Sequence, residues 1–207
     1  MFQGTGTLPL FFLIVPISIF NVPPGQCVNL VFRKTMHTLD GTASDKPRPT
    51  IEIREAIADD AAKISAVLDE SFREYRALYT DEGFAATALP REGVRRRMQE
   101  GPVWIALLNR EIVGTASAIK KAGGIHIRGM AVLPAGRGHR IGELLLREIE
   151  AYALREGARR LFLSTTPFLD RAIRLYERCG FRRIGEGPSD LFGTPLFTME
   201  KILDGLD

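Results

Sequence analysis

Apolar and polar residues recur along most of the chain with the periods of strands and helices. Ile51-Glu52-Ile53-Arg54 alternates apolar with polar, which predicts a short strand. Asp59-Asp60 offers N-cap chemistry to a helix carrying Ile64, Val67, Leu68 and Phe72 on one face. Residues from Arg76 to Ala88 follow no clear period. A second helix is predicted over Arg91 to Gln99, stopping near Gly101-Pro102. Val103 to Leu108 and Ile112 to Ile119 read as strands joined through Asn109-Arg110-Glu111. After a turn at Lys121-Ala122-Gly123-Gly124, Ile125 to Leu133 reads as another strand, broken by Pro134.

A glycine-rich loop follows. Ile141, Leu144, Leu145, Ile149, Tyr152 and Ala153 then recur at helical spacing, and Gly157 closes that helix. Leu161 to Thr165 reads as a strand. Thr166 as N-cap and Pro167 at the first helical position predict a last helix that carries Ile173, Tyr176 and Cys179 and ends at Gly180. Phe181 to Ile184 and Leu196 to Met199 read as a closing pair of strands. The order of elements predicts one mixed α/β domain over residues 50–202, with a short tail at 203–207 and no internal repeat.

Residues 1–49 break the pattern. Residues 1–32 hold no charge, and Leu8 to Phe20 form a dense apolar run of thirteen residues interrupted by Pro16. A signal peptide would carry basic residues before such a run. A membrane span needs about 18–20 continuous apolar residues. Met36 opens an ordinary polar stretch, so one expectation is that translation starts at Met36 and the protein is cytoplasmic. The alternative is a chain tethered to a membrane through residues 8–32.

Composition narrows the class. Of 207 residues, 45% are apolar and 26% charged, as in an ordinary globular protein. The net charge of +3 comes from 28 basic and 25 acidic residues, and two of the basic ones, Arg33 and Lys34, precede Met36. A nearly balanced domain does not suggest nucleic-acid binding, and the run Arg95-Arg96-Arg97 reads as a solvated helix face, with a phosphate-binding patch as the alternative. Cys27, Cys179 and the three histidines lack metal-ligand spacing, so no metal is expected. A homodimer stays open.

The most informative segment is Met130 to Leu146, where a strand runs through Pro134 and a loop with Gly136, Gly138 and Gly142 into an amphipathic helix. Glycines let backbone N–H groups approach a ligand, and a helix N-terminus presents unpaired amides and a partial positive charge. Together these can seat a phosphate or pyrophosphate. Arg137, His139 and Arg140 add side-chain donors. The Walker pattern and the GxGxxG spacing are both missing.

Arg137-Gly138-His139-Arg140-Ile141-Gly142 resembles the coenzyme A loop, Arg/Gln-x-x-Gly-x-Gly/Ala, of the GCN5-related N-acetyltransferase (GNAT) family, with Arg140 in place of the middle Gly. Ala172 to Phe181 (AIRLYERCGF) resembles a second signature of that family. The resemblance implies a mainly antiparallel sheet of six or seven strands, helices on both faces, and fourth and fifth strands that splay to hold acetyl-coenzyme A. It further implies that backbone groups of Met130 and Val132 meet the pantetheine arm. Arg137, Gly138, His139, Arg140, Ile141 and Gly142 would receive the diphosphate. An Asn common in the family is Leu169 here.

The implied reaction carries an acetyl group from acetyl-coenzyme A to a primary amine of a small molecule or a protein. By motif position Tyr176 is the general acid that protonates the leaving sulfur, a role suited to a phenol that keeps its proton at neutral pH. Strand amides at Met130 to Val132 are candidates to stabilise charge on the carbonyl oxygen. The resemblance places a base, a Glu in histone-type members, four residues before Met130, which makes His126 the candidate here, and period-two alternation puts His126, Arg128 and Met130 on one strand face. A water chain is the alternative base. Tyr75 to Leu89 and Gly185 to Pro195 are expected to recognise the acceptor, with Asp81 and Glu82 either solvated or holding a cationic group. The competing reading of the whole is a module that senses acyl-coenzyme A without turnover.

Overall fold

The computed structural model describes residues 49–185 and 187–203. The apolar segment Leu8 to Phe20 and the Met36 start lie outside the described residues. Among the described residues no helix is long and apolar enough to cross a membrane.

Among the described residues, five α-helices and nine strands follow in order. They are β1 (Ile51–Glu55), α1 (Ala61–Arg73), α2 (Asp81–Thr87), α3 (Arg91–Glu100), β2 (Val103–Leu108), β3 (Glu111–Lys121), β4 (Gly124–Val132), α4 (Ile141–Arg155), β5 (Arg160–Thr165), α5 (Asp170–Arg178), β6 (Arg182–Ile184), β7 (Asp190–Leu191), β8 (Thr194–Pro195) and β9 (Phe197–Ile202). Seven strands form one sheet in the order β1-β2-β3-β4-β5-β9-β6, and β7 pairs with β8 in a separate hairpin. Every pairing in the large sheet is antiparallel except β4 with β5. The mixed α/β class is the one expected from the order of elements, and the mainly antiparallel sheet of seven strands is the one the resemblance implies.

Each face of the sheet carries its own core. Ile141, Leu145, Leu146 and Ile149 of α4 pack with Ile125 and Ile127 of β4 on one face. Ile64, Val67 and Leu68 of α1, with Val94 of α3, pack with Ile105 and Ala131 on the other. The helical spacing of those apolar residues is what brings them onto a single stripe.

Three local features differ from the sequence reading. Residues 76–88, which lack a clear apolar period, contain the seven-residue helix α2, whose cap is Thr80; its hydroxyl accepts from Gly83 N–H at 3.1 Å. Helix α5 begins at Asp170 rather than at Pro167. Thr166 through Leu169 form a turn instead (Leu169 N–H to Thr166 O, 3.2 Å), which sends Phe168 against Tyr79 at a ring-centroid distance of 4.9 Å. Asp60 sits at the N-cap position of α1 but makes no cap bond to it. Its carboxylate accepts from Arg54 at 2.8 Å and from Ile57 N–H at 2.9 Å, and these bonds hold it below the usual carboxylate range.

The most consequential difference lies in β4. Gly129 has φ 56°, and the β3–β4 register slips there, from Ser117↔Arg128 to Thr115↔Ala131. One extra residue on β4 reverses the alternation of side chains beyond it. His126 and Arg128 therefore do not share a face with Met130, contrary to the period-two expectation. Met130 packs with α4 and Ala131 packs with α1.

Candidate functional site

β4 and β5 pair only at Ile125↔Leu161 and His126↔Phe162. Past those residues the two strands separate, and the opening is a cleft of about 510 Å³. Leu133 N–H donates to Val113 O at 2.8 Å, toward β3. Successive backbone groups of a strand alternate in direction. Those of Val132, and by the same alternation Met130, are therefore aimed at the edge that β5 has left. A splayed parallel pair thus exposes strand amides without exposing an outer sheet edge.

Of the residues singled out from the sequence, His126, Met130, Val132, Arg137 and Tyr176 all border this cleft. Gly138 to Gly142 do not line it. They form the loop and helix end beyond Arg137, and the Ile141 side chain is buried in the core beside α4. Within α4 the first N–H to close on the preceding turn is that of Leu144, to Arg140 O at 3.1 Å. The amides of Ile141, Gly142 and Glu143 are the unpaired donors of the helix end. Gly142 also lets α4 approach α5, since a Cβ there would fall 2.6 Å from Leu175 Cδ2.

Arg140 occupies φ 57°, ψ 21°, a left-handed conformation, as the N-cap of α4. The departure from glycine at this motif position therefore leaves the left-handed turn in place. The strain of a non-glycine residue there is about 1–2 kcal/mol, partly offset by the greater chain entropy a glycine would lose, about 0.5–1 kcal/mol. Arg140→Gly is expected to raise unfolding stability by up to about 1 kcal/mol in urea titration, because the exposed Arg140–Glu143 ion pair it removes contributes little. Arg137 pairs across the cleft mouth with Glu74, and Arg171 approaches the same carboxylate at 3.8 Å. The loop thus offers unpaired amides together with cations, which fits a diphosphate.

Tyr176 is 6% exposed, and burial raises its phenol well above its ordinary range. A Schellman arrangement fixes its backbone: Phe181 N–H donates to Tyr176 O and Gly180 N–H to Glu177 O, each at 3.0 Å, with Gly180 at φ 87°. Cys179 beside it is raised by burial, which makes it a poor nucleophile.

His126 stacks on Phe162, 4.8 Å between centroids and 5° between planes. Burial first, then the charges of Arg128, Lys121 and Arg97, push it down from 6.5 to about 4. It is neutral at pH 7 and a weak base. An unfolded chain takes up this proton below pH 6.5 whereas the folded one does not until about pH 4. The stability present above pH 6.5 is therefore lost as pH falls toward 4. With the partial solvent access discounted, the loss is about 1–2 kcal/mol. His126→Gln is expected to remove that slope in denaturant titrations run from pH 7 to pH 4.

The two segments expected to meet the acceptor contribute unequally to the cleft. From the segments Tyr75 to Leu89 and Gly185 to Pro195, Tyr75, Tyr79, Thr87, Pro188 and Leu191 border the cleft. Asp81 and Glu82 do not, and Asp81 pairs with Arg76 on the surface. The basic run of α3 is also not uniformly solvated. Arg96 is exposed, whereas Arg97 turns into the cleft. The missed signal was the spacing Val94 to Arg97: positions i and i+3 share a helix face, and Val94 is buried. Arg128 enters the cleft from β4 and pairs with Glu100.

The acetyltransferase (GNAT) family model matches residues 64–181. An N-acetylaspartate synthetase of Danio rerio is 33% identical over 85 residues, which is 40% of this chain and 30% of that protein. The chain thus spans under a third of the length of this curated relative. Among solved structures, a GNAT-family acetyltransferase of Staphylococcus aureus Mu50 has a TM-score of 0.63 at 20% identity, over 75% of this chain and 100% of that one. The PaiA N-acetyltransferase of Thermoplasma acidophilum, solved with coenzyme A, has a TM-score of 0.62 at 20% identity, over 74% and 99%. YncA of Salmonella typhimurium, solved with acetyl-CoA, has a TM-score of 0.57 at 22% identity, over 74% and 94%.

Proposed function

The chain belongs to the acetyltransferase (GNAT) family, and on that premise we propose that it transfers an acetyl group from acetyl-coenzyme A to a primary amine by direct attack on the thioester. The observation that carries this reading is the splay of β4 from β5, which brings free strand amides, Arg137 and Tyr176 to one cleft, with the α4 helix end just beyond Arg137. Acetyl-coenzyme A supplies an activated acetyl group whose carbonyl is open to a neutral amine. A relative named for N-acetylaspartate agrees with N-acetylation as the reaction type.

The chain's own residues then have separable roles. The amides of Ile141, Gly142 and Glu143, with Arg137, receive the diphosphate, and the backbone groups of Met130 and Val132 hold the pantetheine arm. A strand N–H near the Gly129 bulge takes the charge that gathers on the carbonyl oxygen. A nitrogen–carbon bond forms as the carbon–sulfur bond breaks, so nitrogen must lose a proton and sulfur gain one. Tyr176, kept protonated by burial, donates toward the sulfur. His126 is neutral, and with its pKa of about 4 it serves better as an acceptor that orients a water than as the final proton acceptor. The proton from nitrogen leaves through that water chain.

Calorimetric titration of coenzyme A into the full chain, followed by thiol release across a broad amine panel, tests the reading. Uptake of coenzyme A with thiol release is the expected result. A folded protein that takes up none loses the reading, and one that binds tightly but releases thiol with no amine becomes a sensor of acyl-coenzyme A.

A further inference from the structure

Among the described residues, one guanidinium in the cleft makes no ion pair. Arg97 leaves α3 on the face of Val94 and reaches β4 at the bare backbone of Gly129. A Cβ on Gly129 would fall 2.1 Å from Arg97 Nη1. The acid one turn along α3, Glu100, is already engaged by Arg128. The Glu100 charge reaches Arg97 only through space, and no carboxylate among the described residues is ion-paired with it. Burial, and then the charge of Arg128, lower Arg97 to about 10, so it remains a cation at neutral pH.

A desolvated charge without a partner opposes folding, and the group that best matches a guanidinium is a carboxylate. Ser71 borders the same cleft, is 8% exposed, and has an Oγ without a hydrogen-bond partner among the described residues. The cleft therefore offers an unmatched cation and an unused hydroxyl, between walls that include Phe72, Tyr75 and Tyr79. Arg97 comes from α3, whose core lies on the sheet face opposite α4, whereas the diphosphate seat is the N-terminus of α4. The anion that Arg97 matches is for that reason not the diphosphate.

We propose that Arg97 binds a carboxylate of the acceptor, so that the acceptor is a small amine bearing its own acid group, an amino acid, rather than a polyamine. Identifying this ligand as the acceptor rests on the acetyl-transfer reading, while the anion site itself stands on Arg97 and Ser71. Gly129 provides the space for the guanidinium, and the carboxylate held there leaves the amine directed into the rest of the cleft.

The test is calorimetry on the full chain with a panel of N-acetylated amino acids and the matching carboxamides, alongside a coenzyme A titration. Free carboxylates are expected to bind at least about tenfold more tightly than their carboxamides. Arg97→Met should abolish that difference with coenzyme A affinity unchanged and a melting temperature at least as high as the parent's, and Arg97→Lys should restore part of it. The proposal falls if carboxamides bind as well as carboxylates, if neither binds, or if Arg97→Met keeps the preference. Should Arg97→Met fail to fold, the parent's carboxylate-to-carboxamide ratio still decides. A protein that prefers carboxylates but takes up no coenzyme A loses the acetyl-transfer reading and keeps the anion site. One that acetylates polyamines and ignores amino acids does the reverse.

Discussion

Tyr176→Phe is expected to lower kcat by about 10²–10⁴-fold, the usual range for losing a positioned general acid, with coenzyme A affinity nearly unchanged. The hydroxyl is the only atom removed. The ring keeps its place beside Phe181, 5.8 Å between centroids, and the Schellman bonds involve the backbone alone. Deleting a buried hydroxyl of this kind leaves stability about the same. Steady-state kinetics with the best amine of a panel, coenzyme A calorimetry and a melting curve together separate a chemical role from a packing role. A kcat within about threefold of the parent would remove Tyr176 from the chemistry.

Gly129→Ala is expected to damage both the fold and the acceptor side. A residue with a Cβ at φ 56° is strained by about 1–2 kcal/mol. The new methyl also meets Arg97 Nη1 at 2.1 Å, so the guanidinium must leave its place. Urea unfolding should show the strain, and KM for the acceptor should rise about tenfold or more while coenzyme A still binds. In an Arg97→Ala background the displacement has nothing to displace, so Gly129→Ala should then cost only the backbone strain. The difference is a coupling energy between the two positions, read from a double-mutant cycle. Additive effects would mean that Gly129 does not serve Arg97.

Much of the fold was legible along the chain. The runs Val103 to Leu108 and Leu161 to Thr165 and the apolar stripes of α1 and α4 lie where their periods predict. Helix α2 was missed because it is short and set by the Thr80 cap, which Thr194 supports from the distant hairpin at 3.0 Å. The start of α5 was misplaced because Thr166-Pro167 has the local chemistry of a helix start, while burial of Phe168 against Tyr79 favours a turn. In the candidate site, the loop from Arg137 to Gly142 stood out because its glycine spacing is local, and Tyr176 through the signature Ala172 to Phe181 that resembles the family's. Arg97 did not, because three successive arginines look alike until the helix is rotated against its neighbours.

The sequence by itself determined most of the elements, their order and the strand–loop–helix turn from Met130 to Leu146, since each depends on residues a few positions apart. Only the tertiary structure decided which face Met130 takes, which arginine enters the cleft, and how far His126 and Tyr176 move from their ordinary proton affinities. Those outcomes depend on one inserted residue in β4 and on how strongly distant segments exclude water. Burial and charge act through space, between residues that local periodicity cannot relate.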